Sequence, residues 1–465
     1  MNELTIALNL TSKIPLYEQI YLHIKDEIKT GYLENGRKLP STRALAHYLE
    51  VSRSTVELAY EQLVSEGYIE SKPCRGYYVA QIEDLYHFQK DSVVIKRKEP
   101  EYKKYEYDFS LNGIELNSFP YNVWRKLYKE ILMDDNAELF CSGDAQGEYG
   151  FRSAICNYLH QARGVNCTPD QVIVGAGSDY LFMLLGMLLG KNITMAFEDP
   201  AYKQAYHMAK EYGYHTVPVR VDRYGMNINE LEDSRADVAY VTPSHQYPTG
   251  IVMPVKRRQE LIRWAYGDEN RYIIEDDYDS EFRYKGRPIP ALQGYGGEEK
   301  VIYLGTFSKS IAPALRMGYM ILPKRLMERF NERCRFISST VSKVDQMIVQ
   351  KFIEEGHFER NLNRMRALYK VRHDVLLEEL KPLEKICKVS GENAGVHILL
   401  TFDNGKSEEE LIQMADEKGI KIYGLSEYFI NKEQQKQATV ILGYAILTEE
   451  KIRKAVTILK EELMQ

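Results

Sequence analysis

The sequence has little of what marks secreted, zinc-binding or membrane-spanning proteins. Its six cysteines are scattered without a C-x-x-C pair, which argues against a metal site or a disulfide framework and favours a reducing cytoplasm. The longest apolar run, residues 180–190, is too short to cross a bilayer. The first ten residues have neither the basic start nor the long apolar core of a signal peptide. We therefore expect a cytoplasmic protein that binds no metal and no membrane.

The sequence also lacks a strong charge of either sign. Its formal net charge is −6 at pH 7, so there is no general attraction to nucleic acid, and any DNA contact has to come from a local basic patch. With 465 residues, of which 44% are hydrophobic and 28% charged, the composition is typical of a globular protein with two or three domains.

Residues 301–323, VIYLGTFSKSIAPALRMGYMILP, are the most informative about chemistry. An apolar, strand-like run is followed by Lys309, a proline-marked bend and Arg316. Burial at the end of such a strand disfavours the lysine ammonium, so the amine can form a Schiff base with an aldehyde. The hydroxyls of Thr306 and Ser308, together with Arg316, can hold a phosphate. This combination indicates pyridoxal 5′-phosphate (PLP), although the Ser-Lys pair alone is more often a surface lysine beside a turn.

Two loops upstream support this interpretation. Residues 272–284, YIIEDDYDSEFRY, form an apolar strand that ends in three acidic residues and Tyr278. A carboxylate at such a strand end can pair with a protonated pyridine nitrogen, and a tyrosine shortly after it can reach the phenolic oxygen of the ring. Residues 242–250, TPSHQYPTG, follow another strand-like run and bring His245 to the same expected edge.

A third loop, VGAGSDY at residues 174–180, enters a predicted helix. Small residues let the backbone N–H groups at a helix start approach an anion, so Gly177 and Ser178 are candidate phosphate contacts. Asp179 is a poor neighbour for a phosphate unless it caps the helix or points away.

From residue 107 onward, apolar runs alternate with amphipathic helices, which is typical of a layered α/β domain. The motifs follow the ends of the predicted strands, and ligands bind at that edge of open α/β sheets. Six strands are predicted, at residues 172–174, 193–197, 238–241, 272–275, 301–304 and 318–322.

Residues 1–80 have a different pattern. Residues 15–30 carry an apolar stripe at helical spacing, and two further helical patterns follow, divided by a short turn. Ser41 and Ser52 are candidate N-caps, but Ser54 also begins a capping box, so the start of the third helix is uncertain by about two residues.

The run YIESKPCRGYYVA reads as two short strands of a wing. The segment resembles the GntR-type winged helix-turn-helix through LPSTRALA, VSRSTV, AYEQLVSEGYIES and RGYYV. The resemblance implies binding to double-stranded operator DNA. The contacts it implies come from Arg43, Arg53, Ser54, Thr55, Arg75 and Gly76. For any single arginine, a solvated surface charge is nearly as good an explanation.

Residues 81–106 have no clear period and are rich in lysine, which indicates a linker. The basic residues in it could add phosphate contacts, or could only keep the spacer soluble, and the two interpretations are about even. These residues are Lys96, Arg97, Lys98, Lys103 and Lys104.

Residues 107–465 resemble the aminotransferase-like half of the MocR/GabR family of bacterial regulators, through SLNGIELNSFPYNVW, EDPAY and the loops quoted above. The resemblance implies a fold-type I PLP-dependent transferase domain, with a large subdomain of about residues 107–325, a small one of about 326–465, and a head-to-tail homodimer. It assigns the PLP lysine to Lys309 and the pyridine aspartate to Asp276. The full expected cofactor set is Lys309, Asp276, Tyr278, Gly177, Ser178, Thr306, Ser308, Arg316, Tyr202 and His245.

The sequence departs from the family pattern where a ligand would bind. Members that recognise amino acids have an arginine at the position of Gln204, and the general carboxylate-binding arginine of these aminotransferases aligns near Ile441. Without either arginine, a buried α-carboxylate is poorly compensated. The effector is therefore expected to be PLP itself, as in members that govern vitamin B6 supply, or a ligand without a free α-carboxylate.

The domain pairing predicts a PLP-dependent transcriptional regulator that senses PLP or an amine- or amino-acid-type effector and is not an enzyme. Residual half-transamination is compatible with the cofactor residues. One alternative is a working aminotransferase with an accessory N-terminal domain, against which the missing arginines count. The other is a DNA-binding protein with a purely structural body, against which the intact cofactor residues count.

Overall fold

The computed structural model describes residues 6–9, 11–81, 103–133, 137–284, 289–435 and 437–463. The chain forms two compact units, Met1–Glu101 and Tyr102–Gln465. Lys96, Arg97 and Lys98 of the predicted linker lie outside the described residues. None of the helices within the described ranges is both long and apolar enough to span a membrane.

In the described part of the N-terminal unit there are three helices and a hairpin: α1 (Leu16–Lys29), α2 (Thr42–Tyr48), α3 (Arg53–Ser65), β1 (Ile69–Lys72) and β2 (Gly76–Val79). Helix α2 begins after Ser41, whose hydroxyl accepts from the Ala44 N–H at 3.2 Å. Helix α3 begins after Ser52, whose hydroxyl accepts from the Thr55 N–H at 3.2 Å, so Ser54 lies inside its first turn. The apolar face of α3 is fully buried, as predicted: Val56, Ala59, Tyr60 and Leu63.

Strands β1 and β2 form the predicted wing. They pair antiparallel, with Ile69 opposite Val79 and Lys72 opposite Gly76. Gly76 has φ +97°, a backbone conformation that favours glycine. Ile69 and Val79 pack in the same core as α1 and α3, so the hairpin is fixed at its base while its turn stays at the surface.

The second unit opens with β3 (Tyr107–Asp108) and is built on an eight-stranded sheet. Its strands are β4 (Val172–Gly175), β5 (Thr194–Asp199), β6 (His215–Asp222), β7 (Gly225–Met226), β8 (Val238–Val241), β9 (Tyr272–Asp277), β10 (Val301–Thr306) and β11 (Gly318–Ile321). Their order is β4-β11-β10-β9-β8-β5-β6-β7. The six predicted strands are confirmed, whereas β6 and β7 were not predicted. Strands β5, β8, β9 and β10 run parallel, so the loops after them share one edge.

Helices pack on both faces of this sheet. The helices between residues 121 and 266 are α4 (Tyr121–Leu132), α5 (Tyr149–Arg163), α6 (Ser178–Leu189), α7 (Lys203–Glu211), α8 (Ile228–Asp233) and α9 (Val255–Tyr266). Alternate residues of β9 face opposite layers. Ile274 packs in a core with Leu181 of α6, and Ile273 packs in another core with Leu261 of α9. Burial on both faces explains why these strands are continuously apolar.

The residues described from 324 onward add a second, smaller sheet and five helices. The helices are α10 (Lys324–Arg333), α11 (Lys343–Glu354), α12 (His357–Leu380), α13 (Glu408–Glu417) and α14 (Glu449–Leu463). The strands are β12 (Cys387–Ser390), β13 (His397–Phe402), β14 (Ile420–Lys421), β15 (Tyr423–Gly424) and β16 (Thr439–Gly443). Four of these strands form an antiparallel sheet in the order β12-β13-β16-β15. Strand β14 instead pairs in parallel with β3.

Candidate functional site

The candidate residues of the second unit meet where parallel strands of the large sheet end. The register places Val241 of β8 opposite Glu275 of β9, and Leu304 of β10 opposite Asp276. The loops that follow these strands carry His245, Tyr278 and Lys309. Their common edge is the place where open α/β sheets bind ligands.

Lys309 is partly buried, and its Nζ donates a hydrogen bond of 2.7 Å to the backbone carbonyl of Leu111. Burial lowers the pKa of Lys309 to about 8, while the negative charge of Asp279 acts in the opposite direction. A lysine with such a pKa is partly neutral near pH 7, which makes its amine a nucleophile.

Asp276 is the acidic residue that the site leaves open to a ligand. It is 9% exposed, and its carboxylate accepts a hydrogen bond from the Tyr240 hydroxyl. Burial raises the pKa of Asp276 to about 6, although the bond from Tyr240 lowers it. Among the described residues, no cationic side chain forms an ion pair with this carboxylate.

The two neighbouring acids already have partners. Glu275 accepts the backbone N–H groups of Leu292 and Gln293 at 2.7 and 3.0 Å. Asp277 accepts from Nε of the buried Arg163 at 2.9 Å. This arrangement separates the roles of three consecutive acids that the sequence pattern alone left undivided.

A buried polar cluster lies beside Tyr278. Nδ1 of His245 is 2.9 Å from Asp279 Oδ2 and 2.9 Å from the Tyr278 hydroxyl. The side chains of His245 and Asp279 are each 1% exposed. Nε2 of His245 is buried and has no hydrogen-bond partner among the described residues. The cluster therefore holds Tyr278 in place and leaves one ring nitrogen unused.

The predicted phosphate contacts come together at the start of α6. Thr306 lies opposite Gly318, and Gly318 lies opposite Gly175, so β10, β11 and β4 end close to one another. Thr306 Oγ1 accepts from the Ser308 N–H at 3.1 Å. A Cβ at Gly177, where φ is +86°, would lie 2.7 Å from Arg316 Nη2. The glycine therefore lets the guanidinium lie directly over the helix N-terminus.

A chain of hydrogen bonds links this guanidinium to Tyr202. Arg316 Nη2 donates to Asp179 Oδ2 at 3.0 Å, and Gln204 Nε2 donates to Asp179 Oδ1 at 2.6 Å. The Tyr202 hydroxyl in turn donates to Gln204 Oε1 at 2.9 Å. Asp179 thus points toward Arg316, and Gln204 lies at its other oxygen.

An apolar cluster packs against Tyr202 and Tyr278. Ile441 is fully buried in β16, between Leu399 and Tyr423 of the neighbouring strands. The Tyr247 ring centroid is 5.6 Å from that of Tyr202. The apolar cluster here consists of Leu111, Tyr247, Leu399, Leu425 and Ile441, with Tyr202, Tyr278, Tyr423, Tyr428 and Phe429 packed against it. A ligand here meets aromatic and aliphatic side chains and hydroxyl groups.

The candidate DNA contacts lie on the surface of the N-terminal unit. Arg43 and Ser54 are exposed in the first turns of α2 and α3, and Thr55 is partly buried. Arg53 is exposed and donates to Glu57 Oε1 at 2.7 Å. Arg75 is exposed in the turn of the wing, next to Gly76.

Comparison with known proteins gives the same division of the chain. The model of the bacterial regulatory proteins of the gntR family matches residues 16–79, and that of aminotransferase class I and II matches residues 109–459. A Bacillus subtilis protein described as an uncharacterized HTH-type transcriptional regulator, YhdI, is 40% identical over 98% of both chains. The probable rhizopine catabolism regulatory protein MocR of Rhizobium meliloti is 31% identical over 99% of this chain and 96% of its own. The chain belongs to the MocR family of HTH-type transcriptional regulators.

This MocR-type regulator is also similar to a second named regulator and to a solved aminotransferase structure. The pyridoxine biosynthesis transcriptional regulator PdxR of Corynebacterium glutamicum is 29% identical over 92% of each chain. The crystal structure of a multiple substrate aminotransferase from Thermococcus profundus matches 81% of this chain and 98% of its own, with a TM-score of 0.69 and 24% identity. The second match shows that the body has the aminotransferase fold, as the sequence predicted.

Sequence reasoning missed three residues that support the site of the MocR-type regulator. Tyr240 bonds to Asp276, Arg163 holds Asp277, and Asp279 holds His245. Asp279 directly follows Tyr278 and could have been found from its place in the motif. Arg163 and Tyr240 carry no local signal, because their roles depend on contacts across the sheet.

Proposed function

We propose that the second unit binds PLP through Lys309 and that its occupancy controls operator binding by the winged helix. The observation that carries this proposal is one sheet edge with two matching groups: an amine whose pKa is about 8, and a buried Asp276 carboxylate without a cationic partner among the described residues. The amine can attack an aldehyde, and the carboxylate can accept the proton of a pyridinium nitrogen.

The remaining residues fit the other parts of this cofactor. Tyr278 and His245 are suited to its phenolic oxygen, and Tyr202 to the face of its ring. When bound, PLP supplies an aldehyde that captures amines reversibly and a ring that withdraws electrons. The phosphate contacts proposed are Gly177, Ser178, Thr306, Ser308 and Arg316. We assign Lys309 and the bound PLP to effector sensing rather than to catalytic turnover.

The effector is PLP itself or an amine without a free α-carboxylate. The neutral amide of Gln204 is hydrogen-bonded to Asp179 and Tyr202. Ile441 is surrounded by apolar side chains. Neither side chain supplies a cation that could compensate an α-carboxylate for its loss of water. The PdxR relative, named for pyridoxine biosynthesis, supports PLP as the first effector to test.

The winged helix is proposed to bind double-stranded operator DNA through the N-terminal turn of α3 and the turn of the wing. The contacts proposed are Arg43, Arg53, Ser54, Thr55, Arg75 and Gly76. The regulator acts in the cytoplasm as a head-to-tail homodimer, and two-fold symmetry then asks for paired half-sites in the operator.

The test is the visible absorption spectrum of the purified protein with added PLP, for the wild type and for Lys309→Ala. We expect an absorption band of lysine-bound PLP in the wild type and its loss in the variant. Operator affinity should change with PLP in the wild type and stay constant in Lys309→Ala. A wild-type protein that binds PLP through Lys309 but has the same operator affinity with and without it would contradict PLP as the effector.

The alternative function is a PLP-dependent aminotransferase with an accessory DNA-binding domain. The fold and the cofactor residues favour it, and the apolar surroundings of Ile441 count against it. Incubation of the PLP-loaded protein with amino acids and a keto acid distinguishes the two. Repeated turnover supports the enzyme, whereas a single spectral change or none supports the regulator.

A further inference from the structure

The five residues proposed to hold the phosphate, here called the phosphate cup, are Gly177, Ser178, Thr306, Ser308 and Arg316. The carboxylate of Asp179 lies beside this cup and would compete with the phosphate for Arg316. Of the residues proposed to hold the phosphate, Arg316 is the one that carries a charge, and it is already paired with Asp179 at 3.0 Å. Both side chains are about half exposed, at 55% and 42%. The pair has no net charge, so the cup gives a dianion little attraction while the pair is intact.

A phosphate held by Arg316 over Gly177 would lie next to Asp179. Two like charges in contact repel, and the guanidinium has a limited number of N–H groups to divide between them. We therefore expect binding of the phosphate to weaken the bond from Arg316 Nη2 to Asp179, because the two anions would lie side by side at one guanidinium. Sulfate or phosphate sites at helix N-termini normally gain from the helix dipole, and here part of that gain is offset.

Asp179 has a second partner that can keep it once Arg316 is engaged elsewhere. Gln204 Nε2 donates to Asp179 Oδ1 at 2.6 Å, and Gln204 Oε1 accepts from the Tyr202 hydroxyl at 2.9 Å. Tyr202 packs edge-on against Tyr247 in the apolar cluster. One amide side chain thus connects Asp179 to the aromatic residues of the apolar cluster.

We propose that Asp179 is a built-in competitor for the phosphate of PLP. It pairs with Arg316 when the phosphate is absent and yields when the phosphate binds, and Gln204 links this exchange to Tyr202. Asp179 thereby weakens PLP binding and makes occupancy of the site responsive to PLP concentration. This inference rests on the proposed function, in which the phosphate binds at Arg316.

The first test is Asp179→Asn, which removes the charge and keeps the shape. PLP affinity is measured by titration of the PLP-free protein, followed by absorbance. We expect a Kd about 10-fold lower than that of the wild type, from loss of a like charge near the phosphate. Pyridoxal, which has no phosphate, should bind with a change of less than about 2-fold. Glu211→Gln removes the same charge from the exposed end of α7 and should change neither affinity.

The second test is a double-mutant cycle with Gln204→Ala. Without Gln204, Asp179 has Arg316 as its remaining partner in this chain of bonds, so PLP affinity should fall by about 3-fold. In the Asp179→Asn background the same substitution should have little effect, because the competitor is already gone.

The outcomes separate this inference from the proposed function. A wild-type protein that binds no PLP through Lys309 overturns both. Wild-type binding with an unchanged or weaker affinity in Asp179→Asn overturns the competitor alone. Tighter binding of PLP and pyridoxal alike overturns it too, because the effect would then not be specific to the phosphate. Additive effects in the double-mutant cycle overturn the link through Gln204.

Discussion

The second unit buries several ionisable side chains of its candidate site, whereas the N-terminal unit keeps its candidate DNA-binding arginines at the surface. In the N-terminal unit, Arg43, Arg53 and Arg75 lie on the surface, over a core of apolar residues. In the second unit, Asp276 and Arg163 are buried. Burying an ionisable group costs free energy unless it is paired, whereas an exposed arginine costs almost nothing. The first unit can therefore change its DNA contacts without changing its fold, and the second cannot change its pocket so freely.

The same substitution made in both units gives the largest contrast. Arg163→Ala removes the partner of the buried Asp277 and three hydrogen bonds from one guanidinium, so we expect a loss of about 3–5 kcal/mol in the free energy of unfolding. Arg53→Ala removes an exposed ion pair with Glu57 and should cost less than about 1 kcal/mol. Chemical denaturation of both variants measures the difference. Similar losses would remove the contrast between the units.

A pH-dependent effect is expected at Asp276 in the PLP-free protein. Its pKa is raised from 3.8 to about 6 by burial, so its contribution to stability is full below pH 4 and is lost as the pH rises through 6. Asp276→Asn should therefore be more stable than the wild type at pH 8, by about 2–3 kcal/mol, with the difference shrinking toward pH 4. The measurement is the free energy of unfolding of both proteins across this range. A constant difference would show that burial of the charge is not its cause.

The same variant should bind PLP more weakly at neutral pH, since it cannot pair with a pyridinium. A variant that is more stable but binds PLP more weakly is expected when a buried charge costs folding stability and contributes to binding.

A smaller effect is expected at Asp279, whose negative charge favours the ammonium of Lys309. Asp279→Asn should lower the pKa of Lys309 below 8, by roughly one unit. The pH dependence of the rate at which PLP attaches to the PLP-free protein, followed by absorbance, measures this change, because the neutral amine is the form that reacts. Asp279→Glu keeps the charge and should restore most of the wild-type profile, whereas a merely structural role would make both variants alike.

Substitutions at the surface of the N-terminal unit should have the smallest effect on folding. Arg53→Ala should weaken operator binding by about 5- to 10-fold and reduce its dependence on salt, because a cation near phosphates is lost. Its folding should be nearly unchanged. Lys29→Ala removes the same charge from the last turn of α1 and serves as the control. Equal losses in both variants would mean that the net charge matters and the position of Arg53 does not.

Much of the fold followed from the sequence because its signals are local. Apolar runs predicted six strands of the large sheet, and the helical stripe of α3 predicted four buried residues. Strand β6 was missed because it is exposed or partly buried at most positions and has no continuous apolar run. The start of α3 was ambiguous because two serines fit the same capping pattern, and only the backbone decides for Ser52.

The site was predicted as a set of residues but not as a network. Loops after parallel strands meet by topology, so Lys309, Asp276 and Tyr278 could be brought together from their positions alone. The contacts of Arg163 with Asp277 and of Asp179 with Arg316 join residues far apart in the chain. Such pairings depend on side-chain geometry that no spacing rule contains.

Lys309 Nζ donates a hydrogen bond to the carbonyl of Leu111, and the same nitrogen is the one proposed to form a bond with PLP. Leu111 belongs to the first stretch of the second unit, shortly after β3. A free lysine amine offers up to three N–H groups, whereas a nitrogen doubly bonded to carbon keeps one at most. Attachment of a carbonyl compound to Lys309 and the hydrogen bond to Leu111 therefore compete for the N–H groups of the same nitrogen. If Lys309 binds PLP as proposed, its bond to Leu111 has to weaken or rearrange when the cofactor attaches.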